Sequence, residues 1–472
     1  MTTEVKRFFA AQAWVDGAWL RDVVLTVDTG GAWSGIQANA PLAVRKGATV
    51  LDGPVLPGLV NAHSHAFQRA IAGLTERISA LGANDNFWSW RDRMYAVAKR
   101  ITPDQLEAIA ALLYAELLAG GYTQVCEFHY LHNALDGQPY ADPVEMSLAL
   151  VRAAQRVGMG LTLLPTLYMR SGFAATGLRK DQCRFAGTPD SVLRLVEAVQ
   201  SQTRSYANIN VGVALHSLRA ADEAAIKEVA GFAARQSFPI HIHIAEQTQE
   251  VQDCINHSGQ RPTEWLMAHL PVNAQWNLVH ATHTNAAELK AVAESGASIV
   301  ICPSTEANLG DGVFDFSGYA SIGGHWSIGS DSHVTRSWTE ELRLLEYSQR
   351  LTQRQRNVAA QAGTLESSAA VLFEGALVGG RSATARPLGT IALGQRADFL
   401  VLDDQAPALL GVPVENVLDA LVFSSPDARC RQVFVAGKQR VAAGRVCGPD
   451  SSTDLWPQLA QDFVRTMKTL WS

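Results

Sequence analysis

The chain has 472 residues, 47% hydrophobic and 18% charged, which is ample for one large domain with a smaller companion. Its formal net charge of -6 is mild for that length, and no run of Lys or Arg forms a stripe along which a phosphate backbone could lie, so no nucleic-acid partner is expected. No stretch approaches the roughly 20 apolar residues that span a bilayer, no signal-peptide core follows Met1, and Cys126, Cys183, Cys254, Cys302, Cys430 and Cys447 lack paired spacing, so the expectation is a cytoplasmic chain with no membrane partner and reduced thiols.

In chain order, Trp14-Val15-Asp16-Gly17-Ala18-Trp19 reads as strand, Asp-Gly turn and strand, followed by a second apolar run over 23–28 and a turn at Gly30-Gly31. From 58 to 385 short apolar runs alternate with longer helical patterns, the texture of repeated strand-helix units around a parallel barrel. Segments 104–119 and 222–235, rich in Ala, Leu and Glu, read as outer helices. Segments 121–128, 161–165 and 210–216 read as the second, third and fourth barrel strands. Strand-like texture returns in 391–402 and 433–438, and 454–471 has helical spacing, a terminal helix for packing on the barrel or on a partner subunit. The expected organisation is an α/β (β/α)8 barrel over 58–385, a small β-sandwich built from 1–57 and 386–445, and a terminal helix over 446–472.

The chemistry sits at the ends of four apolar runs. His63-Ser64-His65 follows Leu59-Val60-Asn61-Ala62, and two imidazoles at i and i+2 on a strand point the same way and can grip one metal. Then come His241-Ile242-His243-Ile244-Ala245-Glu246, Leu278-Val279-His280 and Ile328-Gly329-Ser330-Asp331. Separate strands would each deliver a ligand or proton carrier at a C-terminal end, where barrel active sites lie.

This ordered set resembles the amidohydrolase superfamily, and within it the deaminase and chlorohydrolase branch that holds one metal. The resemblance implies His63, His65, His243 and Asp331 as ligands, with Glu246, His280 and Asp331 as catalytic groups. No Lys stands where it would suggest the carbamylated bridge of two-metal relatives. Three imidazoles and a carboxylate suit one divalent ion, zinc first and iron second, which acidifies a bound water. His241 shares a strand face with His243 and is expected behind the ligands.

Three further segments, 61–73, 87–95 and 127–132, narrow the resemblance to the iminohydrolases that release ammonia from N-formimino-L-glutamate in histidine degradation. A substrate with two carboxylates calls for Arg and hydroxyl donors. Candidates are Gln68, Tyr130, His216, Arg219 and Arg91, with Arg93 as the rival on what reads as the loop after the first strand. A purine or pterin deaminase would use the same metal chemistry with aromatic stacking in place of two anion anchors; a chlorohydrolase or a non-catalytic binding barrel is a more distant reading. Barrels of this kind often pair, so a homodimer is expected.

Overall fold

The protein is described here from a computed structural model covering residues 4–78, 85–363, 365–425, 430–448 and 451–472. Eight barrel strands run Leu59–Ser64, Tyr122–His129, Gly160–Leu167, Val213–Ser217, Ile240–Ile244, Trp276–His280, Ser298–Ile301 and His325–Ile328, each parallel to its neighbours. Closure between the eighth and the first is a single parallel bridge, Ser64 to Asp331, with Asp331 N–H donating to His63 O at 3.0 Å and His65 N–H to Asp331 O at 3.2 Å. The barrel is therefore pinned shut at the residues that carry its chemistry. Gly329 makes this approach possible, because a Cβ there would lie 2.6 Å from His63 Cβ.

The expected second and third strands are found, each shifted by one or two residues. The fourth is broken: Ile209–Val211 pairs with the third strand, Gly212 interrupts, and Val213–Ser217 carries on beside the fifth. Helix Pro103–Ala119 begins at a reciprocal cap, in which Thr102 Oγ1 accepts from Gln105 N–H and Gln105 Oε1 from Thr102 N–H, an arrangement typically worth about 1 kcal/mol. Helix Glu223–Gln236 is likewise capped by Asp222, and Trp456–Trp471 closes the described chain. That last helix packs on the barrel: Arg100 donates to Leu470 O at 3.0 Å, Trp471 to Ala70 O at 3.3 Å, and Arg156 pairs with Asp462 at 2.8 Å.

Both chain ends meet in a second sheet, with Cys430–Val435, Phe399–Leu402, Val55–Pro57, Lys6–Val15 and Ala18–Val27 as successive neighbours. Asp16 and Gly17 both take positive φ, as a two-residue hairpin demands. It is one continuous hydrogen-bonded path of eight strands, with a ninth, Thr49–Leu51, pairing beside it on Lys6–Val15, and it is curled. Three inter-strand steps of about 4.8 Å separate Phe8 from Phe434 along a flat sheet, yet their rings stand 5.4 Å apart over a small core of their own. The strand expected over 391–402 is confined to Phe399–Leu402, because Gly394 turns the chain and Gln395 O accepts from Trp33 N–H at 2.8 Å. Val55–Pro57 passes into the first barrel strand through Gly58, where a Cβ would strike Thr123 at 2.4 Å. Among the described residues Cys126, Cys183, Cys254, Cys302 and Cys430 are free thiols, and no helix is long and apolar enough to cross a membrane.

Candidate active site

Four of the predicted side chains converge where the barrel closes. The Nε2 atoms of His63, His65 and His243 lie 3.0 to 3.3 Å from one another, and Asp331 Oδ1 stands 3.4 Å from that of His63 and 3.3 Å from that of His65. These are the edges of a coordination polyhedron: ligand bonds of 2.0–2.1 Å in a tetrahedron give ligand separations of about 3.3 Å. The donor chemistry fits a cation. His65 Nδ1–H donates to Phe128 O and His243 Nδ1–H to His216 O, both at 2.9 Å, so these two rings turn a lone pair inward. Burial holds all three imidazoles below the usual histidine range, and neutral rings gathered beside a carboxylate could hold a metal ion.

His280 and Glu246 flank this centre. His280 Nε2 lies 3.8 Å from Asp331 Oδ2 and 3.7 Å from Glu246 Oε1, so one ring stands between the two carboxylates. Its Nδ1–H faces Glu306 Oε1 at 3.2 Å, a partner the sequence reading missed. Burial works against the imidazolium, but Glu246, Glu306 and Asp331 outweigh it and raise its pKa to about 10. Burial pushes Glu246 up to about 7, against the pull of His280 and Arg219. His280, Asp331 and Ala245 all adopt left-handed backbone, with φ of 70°, 44° and 50°, strain held at three strand ends to aim these side chains.

Behind the ligands lies a belt of hydrogen bonds. Glu127 accepts from Ser64 Oγ and Ala66 N–H at 2.6 Å and from Tyr114 at 3.1 Å, while Asn61 ties Ser330 by both its amide atoms. His241 does not belong to it. Its Nε2–H donates to Ala383 O at 2.8 Å, because helix Ser368–Thr384 brings that carbonyl against the strand, though its ring is near enough to act electrostatically on His63.

The anion-binding candidates form a second cluster beside the first. Arg91 and Arg93 lie on a helix, Phe87–Ala98, and not on a loop; Asn86 caps it reciprocally with Ser89. Two residues are about 200° of helical rotation, so the two guanidiniums leave on opposite faces. Arg93 is consumed by Thr75 O at 2.7 Å and Asp85 at 3.2 Å. Arg91 has no carboxylate among the described residues: it stacks 4.5 Å from Trp88, and its Nε is buried without a partner. Arg219 lies 5.6 Å from the same indole, 4.0 Å from Glu246 Oε2 and 3.8 Å from Glu250 Oε2. The His216 ring stacks on Tyr168 at 4.1 Å, and Gln68 Nε2 donates to Tyr130 at 3.3 Å while its Oε1 is unpartnered. Trp88, Tyr168, Glu250 and Glu306 went unread in the sequence; Glu306 was reachable, since it follows the short apolar run Ser298–Ile301 that is the seventh strand.

Comparison with known proteins agrees with this geometry. A family model described as the amidohydrolase family matches residues 55–440. Formimidoylglutamate deiminase from Pseudomonas aeruginosa is 44% identical over 456 residues, 97% of this chain and 99% of that protein. A crystal structure of an amidohydrolase from Brucella melitensis superposes with a TM-score of 0.91 at 39% identity, over 99% of this chain and 100% of that one. An adenosine deaminase from Xanthomonas campestris, crystallised with bound zinc, has the same fold at a TM-score of 0.79 and 21% identity, with 98% of each chain covered. With its imidazoles and carboxylate gathered at the C-terminal mouth of a parallel barrel, this chain belongs to the amidohydrolase family.

Proposed function

We propose that the protein hydrolyses N-formimino-L-glutamate to N-formyl-L-glutamate and ammonia, as a step of histidine breakdown, with one divalent ion, zinc in first place, held by His63, His65, His243 and Asp331. The observation that carries the substrate is the pair of guanidiniums, Arg91 and Arg219, both against Trp88, with Arg219 4.0 Å from Glu246. A dicarboxylate needs such a pair, whereas a flat neutral purine ring does not. The 44% identity to formimidoylglutamate deiminase supports the same reading.

The ion, when bound, acidifies a water and polarises the formimino carbon's substituents. The formyl oxygen forms with loss of both water protons. One must be carried to the departing nitrogen so that it leaves as ammonia, and the other, which balances the amidinium charge, ends on the released ammonia as ammonium. Asp331 stands at the receiving end and Glu246 at the delivering end, with His280 between them at 3.8 and 3.7 Å. Arg91 and Arg219, with the hydroxyl of Tyr130, Gln68 and His216, hold the glutamate arm, which leaves the terminal nitrogen beside Glu246. Ammonia therefore departs and the glutamate nitrogen stays bonded.

The test is incubation with N-formimino-L-glutamate, following ammonia enzymatically and the products by proton NMR. Ammonia and N-formyl-L-glutamate are expected. Formamide with free glutamate, or turnover of 8-oxoguanine or adenosine with none of the formimino compound, would overturn the reading.

A further inference from the structure

Gln182, Tyr95 and Tyr168 form a buried polar cluster beside His216. Gln182 is wholly enclosed, and the orientation of its amide is set by the backbone: Oε1 accepts from Arg179 N–H at 3.0 Å. Both amide hydrogens are then donors, one to Tyr168 Oη at 2.8 Å and one to Tyr95 Oη at 3.3 Å. The two phenol oxygens are themselves 3.0 Å apart. A count of protons follows from this arrangement. Each oxygen already accepts from Gln182, one tyrosine donates to the other, and the second O–H has no acceptor among the described residues. A buried hydroxyl proton without an acceptor costs stability unless a ligand supplies one.

The surroundings say what that ligand is. The Arg91 guanidinium lies 5.5 Å from the Tyr95 ring, and the Tyr168 ring is stacked on His216 at 4.1 Å. The Arg91 guanidinium also lies 4.5 Å from the Trp88 ring that Arg219 approaches at 5.6 Å, and both arginines act electrostatically on the Tyr168 hydroxyl, whose upward shift is led by burial. The spare donor thus belongs to the cationic half of the site, where only an acceptor with negative charge is well matched.

We propose that the Tyr95–Tyr168 hydroxyl pair, oriented by Gln182, donates one hydrogen bond to a substrate carboxylate beside Arg91 and Arg219 and is a determinant of dicarboxylate specificity. This rests on the function proposed above and names a contact within it. The pair supplies one free proton, and the contact is lost with whichever tyrosine faces the carboxylate.

The experiment compares wild type, Y95F, Y168F and the Y95F/Y168F double variant as metal-replete full chains. The substrates are N-formimino-L-glutamate and two analogues, each lacking one carboxylate. Wild type releasing no ammonia from the first substrate would count against the function and not against the pair. Given turnover, the double variant is expected to raise KM about tenfold or more with kcat nearly unchanged, as loss of a hydrogen bond to a charged group implies. That penalty should disappear on one of the two analogues. Should the double variant not fold, the single variants are read by the same comparison, with at least one raising KM about threefold on the full substrate and losing that penalty on one of the two analogues. A KM within twofold of wild type, or a penalty equal on both analogues, overturns the proposal, because simple repacking would not distinguish one carboxylate from the other.

Discussion

The two halves of the site are finished to different degrees. Around the cluster of His63, His65, His243 and Asp331, the outer nitrogens of His65 and His243 are committed to Phe128 O and His216 O and the backing strand ends to the Glu127 and Asn61 belt, with His63 Nδ1 the exception. In the cationic half, Arg91 Nε, Arg219 Nη1 and Gln68 Oε1 are buried with no hydrogen-bond partner. The first half is built from strand ends and backbone carbonyls, which the barrel makes rigid; the second is carried on helix Phe87–Ala98 and on the turn after the fourth strand. Chemistry is pre-organised here, and recognition is completed by the ligand.

The sharpest break of this contrast is His243→Ala. It should abolish both bound metal and turnover, whereas wild type should hold one divalent ion per chain by elemental analysis. Two ions, or a metal-free but active variant, would contradict the ligand set. Glu246→Gln separates chemistry from metal: the ion should stay while kcat falls on the order of 10²–10⁴-fold, because the amide cannot carry a proton. Retained turnover at full metal content would remove Glu246 from the mechanism.

On the cationic side the effects should be smaller and fall on KM. Arg219→Met should raise KM well over tenfold, since truncating one partner of a desolvated charge pair costs on the order of 2 to 5 kcal/mol; steady-state kinetics with a change within twofold would refute it. Arg93→Met should leave KM within about twofold and cost about 1 kcal/mol of stability or less, because its ion pair with Asp85 is partly solvent-exposed. If Arg93→Met and not Arg91→Met impaired binding, the assignment of the second anchor would be reversed.

Legibility in the sequence follows the same division. His63, His65, His243, His280 and Asp331 could be read because each ends a short apolar run, and strand alternation with barrel topology then brings them to one mouth. Glu306 and Glu127 were not read as partners, since a carboxylate near an apolar run looks the same whether it faces solvent or an imidazole. Their roles come from contacts 26 and 63 residues away in the chain, to His280 and Ser64.

What the sequence alone determined is therefore the architecture of alternating strands and helices, a smaller β unit drawn from both chain ends, and the set of His and Asp side chains at the strand ends. What only the tertiary structure decided is which charges are left free. Arg91 and Arg93 are equivalent by composition and local context, but a helix initiated at Asn86 turns one guanidinium to Thr75 and Asp85 and the other to Trp88. The hydroxyl pair of Tyr95 and Tyr168 exists only because distant segments meet at Gln182. Periodicity and spacing are local and can be read along the chain, whereas whether a buried donor has a partner depends on every segment that packs around it.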